Sequence, residues 1–442
     1  MAGPCLTASR RAGYGGAVSK VVIPLQLAAS LLAAGCTSCD NASPHDAEPD
    51  VVGADGDMDH DESDGDVDAD QDVIEADLPD GALPMQPTEM PHDRLGMDCG
   101  RGCKQISFAD TVWPYFYEVG GRYLVYENFT QESTGVTLFL IDLETLVEYQ
   151  LLNCDYYTGG DESCGEVTVN NETISFVTSL WDLRFDPDHE QTVWLYYVGD
   201  SYRTPLVRRV STAEGRGLGY IRIHRDMIAW YDSHIPEAGL YVMNLHGGEI
   251  TDLTPSHCNC YGIPNLWGRQ VVYEDFEFFS DIFLVNIDDL EHRNLNNDLV
   301  EQWDPSFDGQ WVVWTDGHND PCSLPSWDLC NPDIFGMEMP DGEIEPLCDD
   351  PAAQTHPDVH LGLVAWEDFR NAEDPNDGNR WDTANVDIYL LDLETRREVQ
   401  VTNLPGPELS PHIWGHRLFY VARDLIDQWA IFMVDLDEAG LL

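Results

Sequence analysis

Basic side chains are scarce in this 442-residue chain: 22 Lys and Arg stand against 81 Asp and Glu, a formal net charge of −59. A surface so short of positive charge repels nucleic-acid phosphates and anionic headgroups, which excludes nucleic-acid binding. Motifs of common chemistries are missing too. There is no Gly-x-Ser-x-Gly elbow, no His-Glu-x-x-His and no phosphate-cradling glycine loop, so a serine peptidase, a zincin and a nucleotide binder are unsupported. Cys-x-x-Cys does not recur and the histidines are scattered, which argues against a zinc site. Paired carboxylates of the glycosidase kind cannot be singled out among so many acids. The expectation is a chain without a catalytic constellation.

Part of the charge is local. From Asp40 to Asp93 there are 19 acidic residues and no Lys or Arg, whereas from Arg94 onward 62 acids face 19 bases. The folded part is therefore itself a polyanion, as suits solubility in salty water, where screening shortens repulsion to about 8 Å. Residues 46–93 lack aromatics and any periodic apolar face, so they cannot offset their ordering entropy. Runs such as Asp55–Asp59 and Asp64–Asp68 have no glycine at the sixth position of a calcium loop. A solvated, self-repelling spacer is expected over residues 36–94.

Ahead of it, Arg10, Arg11 and Lys20 precede a fifteen-residue apolar stretch, Val21–Gly35. That is shorter than the roughly 20 residues of a membrane span and fits a signal-peptide core. It ends Leu31-Leu32-Ala33-Ala34-Gly35-Cys36, which resembles a bacterial lipobox, although Ala33 stands where leucine is usual. The resemblance implies a signal peptide over 1–35, lipid attachment at Cys36 and a membrane partnership through the lipid. Thr37 as the second mature residue implies the outer membrane.

From residue 104 the chain repeats itself at intervals of about 40–55 residues. The clearest unit runs Pro357, Gly362, Val364-Ala365-Trp366-Glu367-Asp368, then Asp387-Ile388-Tyr389-Leu390-Leu391-Asp392. Copies stand at Pro305, Gly309, Trp311–Asp316 and Asp333–Phe335, and at Pro264, Gly268, Val271–Asp275 and Asp281–Val285. Weaker ones begin at Pro114, Ile174, Met227 and Pro411. Short period-two runs bounded by Gly, Pro, Asn and Asp are strands, and four strands per repeat make a propeller blade. The expected fold over 95–442 is all-β: a single propeller of about seven four-stranded blades. The last unit ends too early for its fourth strand, so the spare run Lys104–Phe108 is expected to close the ring.

This pattern resembles the TolB-like (WD40-like) propeller repeat of envelope and secreted proteins. The resemblance implies fold and compartment, not a ligand.

In an exported chain, Cys99/Cys103, Cys154/Cys164 and Cys322/Cys330 are natural disulfides, and Cys258 or Cys260 could reach Cys348. Asp275, Asp316 and Asp368, with Asp281, Asp333 and Asp387, recur blade after blade and read as caps on turn amides rather than as a site. The insert Asn371–Val386, with Asp374, Asn376, Asp377 and Asp382, is the best single place for a calcium ion. Trp381 there, and Trp327 in the insert Gly317–Pro332, are candidate binding residues. The functional expectation is a non-catalytic envelope lipoprotein that binds or scaffolds a protein partner. The alternative is a protein that binds or cleaves surface glycan.

Overall fold

The computed structural model describes residues 81–90, 97, 99–107, 116–129, 136–154, 162–180, 189–211, 218–232, 239–246, 249–255, 260–276, 280–296, 300–318, 331–372 and 385–442. They form seven antiparallel sheets in chain order, each with four strands and two of them extended by a fifth. This is the expected seven-bladed propeller. Blade 1 comprises Tyr117–Gly120, Tyr123–Phe129, Val136–Asp142 and Val147–Cys154. Blade 2 comprises Glu162–Asn170, Thr173–Leu180, His189–Tyr197 and Tyr202–Ser211. Blade 3 has Leu218–His224, Met227–Asp232, Gly239–Asn244 and Thr251–Asp252. Blade 4 has Cys260–Trp267, Gln270–Phe276, Ser280–Asn286 and His292–Asn294. Blade 5 has Gln302–Phe307, Trp311–Asp316, Asp333–Glu338 and Ile344–Cys348. Blade 6 has Gln354–His360, Leu363–Asp368, Asp387–Asp392 and Arg397–Gln400. Blade 7 contributes Leu409–Trp414, Arg417–Arg423 and Trp429–Asp435.

The second and third strands are apolar on both faces because both faces meet a neighbouring blade. All six residues of Trp311–Asp316 and of Leu363–Asp368 are buried. The core is divided accordingly into seven clusters, one at each seam. Val125 and Leu138 of blade 1 meet Val167 and Phe176 of blade 2. Around the ring, Val272 and Ile282 meet Phe307 and Trp314, and Leu363 and Ile388 meet Leu418 and Phe432. The last seam joins Phe419 and Ile431 of blade 7 to Tyr117 and Leu124 of blade 1.

That seam exists only because the ring closes. Cys103–Gln105 adds to blade 7 as its outer strand, pairing Cys103, Lys104 and Gln105 with Val434, Met433 and Phe432. Ile106 N donates to Ile431 O at 2.9 Å, and Ser107 Oγ accepts from Ile431 N at 2.8 Å. The expected closing run is thus the observed one, beginning one residue earlier, with Phe108 outside the described residues. Just ahead of it the Cys99–Cys103 disulfide ties the approach of the strand.

The chain meets the propeller before residue 95. Leu83–Pro84 pairs with Arg203 and Tyr202 on blade 2, and Thr88–Glu89 with Gln150 and Tyr149 on blade 1. Between them Met85 is buried. These two blades have the longest outer strands, eight and ten residues against two to five elsewhere. A long unpaired edge invites association with other chains, and here part of each is covered.

Replacing Ile106, which is fully buried in the closing seam, by alanine should cost about 2–5 kcal/mol. Thermal denaturation measures this; an unchanged midpoint would mean that the closing strand lies outside the cooperative unit.

Candidate functional site

The first strand of each blade lies nearest the propeller axis, and five of them carry a bulge with a residue at positive φ. These are Glu166, Tyr220, Asp304, His356 and Ser410, at φ between 51° and 55°. Such a conformation is uncommon outside glycine, so its recurrence marks a built feature. Counting down each strand in steps of two from this residue, and from the positions that match it in pairing register in blades 1 and 4, gives three tiers. The first holds Phe116, Glu166, Tyr220, Ile263, Asp304, His356 and Ser410; the second, Glu118, Thr168, Arg222, Asn265, Ser306, Asp358 and His412. The third holds Gly120, Asn170, His224, Trp267, Asp308, His360 and Trp414.

Many of these groups, with partners from the second strands, reach the backbone of the next blade. Glu166 Oε2 accepts from Tyr220 N at 2.9 Å. Glu127, Glu274 and Glu367, on second strands, accept from Val167, Asp304 and Ser410 N at 3.2, 2.9 and 2.8 Å. In the middle tier Ser306 Oγ accepts from Val359 N at 3.1 Å and Asp358 Oδ2 from Ile413 N at 2.7 Å. In the last, Asn170 Oδ1 accepts from Arg225 N at 3.2 Å and His224 Nδ1 from Gly268 N at 2.7 Å. Every one of these bonds runs from a blade to its successor.

Two ionic groupings stand out. His356 lies between Asp304 and Glu367, with Nε2 3.4 Å from Asp304 Oδ2 and Nδ1 3.2 Å from Glu367 Oε2. Burial disfavours its charge, but Glu367 and Asp304 outweigh burial and hold its pKa at about 10. Arg222 of blade 3 reaches Glu118 of blade 1, Nη2 to Oε1 at 2.5 Å, past the intervening blade. Burial, with help from Glu166, raises Glu127 to about 8; burial, with help from Asp304, does the same to Glu274. The carboxyl groups around the axis are thus offset in part by protons and in part by Arg222 and His356.

The third tier is aromatic on one side. His224 stacks on Trp267 at 4.3 Å and His360 on Trp414 at 4.7 Å, with Trp267 edge-on to His360 at 6.2 Å. The row crosses blade 5 because residue 309 is glycine: a Cβ there would lie 2.2 Å from the Trp267 ring. Burial lowers both histidines, His224 to about 4, so both rings are neutral at pH 7.

The residues singled out from sequence are not among these tiers. Cys36, Asp374, Asn376, Asp377, Asp382, Trp327 and Trp381 are all outside the described residues. So are Cys258, Cys322 and Cys330. The Cys154–Cys164 bond is present and clamps blade 1 to blade 2. Cys348 is buried, with Arg370 Nη2 3.3 Å from its sulfur. Four of the six recurrent aspartates divide into two roles. Asp316 and Asp368 do cap turns, accepting from His318 N and Arg370 N at 2.8 and 2.9 Å. Each also takes the indole N–H of Trp314 or Trp366 at 2.9 Å. Asp281 and Asp387 instead anchor outer strands, Oδ2 accepting from Asn294 and Gln400 at 2.9 and 3.0 Å. The axial tiers were missed, although the repeated proline marks them: Asp304, His356 and Ser410 each immediately precede it.

No family model matches the sequence, and no curated protein matches it. Solved structures do match. The β-propeller domain of the Trilobed protease from Pyrococcus furiosus aligns with 8% identity and a TM-score of 0.50, covering 72% of this chain and 94% of that one. A puromycin hydrolase mutant complexed with PGG aligns at 12% identity and 0.52, covering 74% of this chain and 52% of that one. An acylaminoacyl peptidase aligns at 13% and 0.50, covering 72% and 50%. This chain spans about half the length of the two latter enzymes. TolB from Acinetobacter baumannii is also among the neighbours, with a TM-score of 0.37 over 71% of this chain. At these identities the likeness is one of fold: the protein is a β-propeller.

The folded pKa values of Glu127, Glu274 and His356 all exceed the ordinary ones. Their stabilisation is therefore complete at acid pH and is lost as pH rises through about 8 for the glutamates and about 10 for His356. The melting midpoint should fall by about 5 °C or more from pH 6 to pH 9. His356→Ala, which strands Asp304 and Glu367, should cost about 1–3 kcal/mol, moderated by the ring's partial exposure. A midpoint that climbs between pH 6 and pH 9 would contradict this electrostatic reading.

Proposed function

We propose that this is an exported cell-envelope lipoprotein, anchored in the outer membrane through Cys36, whose propeller is a non-catalytic docking module for an envelope protein. The sequence supports the anchor: a short apolar stretch runs into Ala34-Gly35-Cys36, and an acidic spacer follows. Among the described residues no helix is long and apolar enough to span a membrane.

One observation carries the docking role. The connections between second and third strands all emerge on one face, and in blades 5 and 6 they run over 317–332 and 369–386. On the opposite face, the turns between first and second strands are two or three residues long in every blade. A rigid ring that places its long connections on one side offers a wide recognition surface there. The polar groups around the axis favour a structural rather than a catalytic use, because so many are engaged with the backbone of the next blade.

Cys36→Ser should move the protein from the membrane fraction to the soluble fraction of its native cells. Cross-linking of the lipidated protein followed by mass spectrometry should capture one abundant envelope protein. Capture should be lost when 319–330 or 373–384 is deleted and kept when Leu361, exposed on the opposite face, becomes serine. A failure to capture any protein, together with saturable quenching of tryptophan fluorescence by a surface glycan, would replace docking with glycan recognition.

A further inference from the structure

The seam between blades 6 and 7 contains two buried carboxyl groups that no ion pair accounts for. Asp387 opens the third strand of blade 6 and Glu408 immediately precedes the first strand of blade 7; they are 0% and 1% exposed. The backbone holds them together, Glu408 N donating to Val386 O at 2.8 Å. Asp387 Oδ2 is occupied by the amides of Asn371 and Gln400, at 2.6 and 3.0 Å. Asp387 Oδ1 and both oxygens of Glu408 make no well-formed hydrogen bond, although the Leu404 N–H lies close to Glu408. Thr402 stands beside them, its oxygen accepting from Ile388 N at 2.8 Å, which leaves its hydroxyl hydrogen free to donate.

The repeat itself shows what is unusual. The residue two places before the positive-φ position is Gln302 in blade 5 and Gln354 in blade 6, both neutral amides and both fully buried. Gln354 is docked as Glu408 is, its N donating to Pro332 O at 2.8 Å just before Asp333. Blade 7 alone of these three puts a carboxylic acid there. Two ionised carboxylates in one dry seam repel each other, whereas one proton between them turns repulsion into a hydrogen bond.

We propose that Glu408 carries a proton at neutral pH and donates it to Asp387 Oδ1, making a proton-dependent lock between blades 6 and 7. The Thr402 hydroxyl then satisfies the other Glu408 oxygen, and every oxygen of the pair has a partner. Other groups facing the pair strengthen the need for a proton. Asp368 adds negative charge beside Asp387, and the Tyr420 hydroxyl of blade 7 lies close to Glu408. Arg370 is taken up by Asp368 and Glu398, at 2.6 and 2.8 Å. Glu408 lines one cavity together with Arg423, Asp424 and Asp427. Burial first, then Asp387, raises Glu408 to about 9. The lock therefore contributes fully only below the ordinary carboxyl range, weakens steadily above it and is lost as pH rises through about 9.

The seam adjoins the blade that the N-terminal strand closes, so its release loosens the ring beside its joint. The test compares wild type with Glu408→Gln, whose amide donates at every pH, and with Asp387→Asn, which removes the charge that holds the proton. Both variants should melt near wild type at pH 5, and Glu408→Gln should exceed wild type increasingly above it, by about 5 °C at pH 10. Infrared difference spectra at pH 7 should show a protonated-carboxyl band in wild type that Glu408→Gln lacks. Variants that follow the wild-type pH profile would overturn the lock. So would calcium or magnesium raising the wild-type midpoint but not that of Glu408→Gln, with no carboxyl band, since a bridging cation would then occupy the seam.

Discussion

The structure depends on one join: the pairing of Cys103–Gln105 with the third strand of blade 7. No blade has a core of its own, because the apolar clusters lie between blades rather than within them. Six seams form along the chain from neighbours in sequence. The seventh, where Phe419 and Ile431 meet Tyr117 and Leu124, requires the two ends of the domain to meet. Bringing them together carries a loop-closure cost that local contacts do not offset. The buried Ile106 side chain and the Ile431–Ser107 hydrogen bond supply what that closure needs.

Closure also explains the chemistry at the axis. Seven first strands converge there, and many of their polar side chains are partly or wholly removed from solvent. A buried acceptor without a donor is costly, and the cheapest donors at hand are the backbone N–H groups of the next blade. The bulges at Glu166, Tyr220, Asp304, His356 and Ser410 turn those groups toward the preceding blade. In this way an acidic chain buries Glu127, Glu274 and Glu367 as blade-to-blade ties. His356 supplies a positive charge among them.

The fold was legible where the pattern is strong. Val-Val-Trp and Asp-Ile-Tyr runs fill strands buried on both faces, where few residue types fit, so each copy resembles the next. The closing strand was legible because the last repeat was short by one strand and a spare strand stood at the other end. The outer strands were not: Thr251–Asp252 and His292–Asn294 are too short to carry alternation. Nor was the covering of blades 1 and 2 by Leu83–Pro84 and Thr88–Glu89, since two-residue pairings leave no periodic trace. The axial tiers escaped for another reason. Their residue types change from blade to blade, and only their backbone geometry repeats, signalled in sequence by no more than the proline that follows.

A closed ring whose core lies in the seams between blades is a body that holds its shape. Amide hydrogen exchange read residue by residue on the intact protein tests that claim most directly. Residues 103–107 and Trp429–Asp435 should exchange slowly and together, with the same protection as the second strands of blades 4 to 6. Exchange of Trp429–Asp435 at the rate of an open edge, while blades 4 to 6 stay protected, would mean that the ring is not closed in solution.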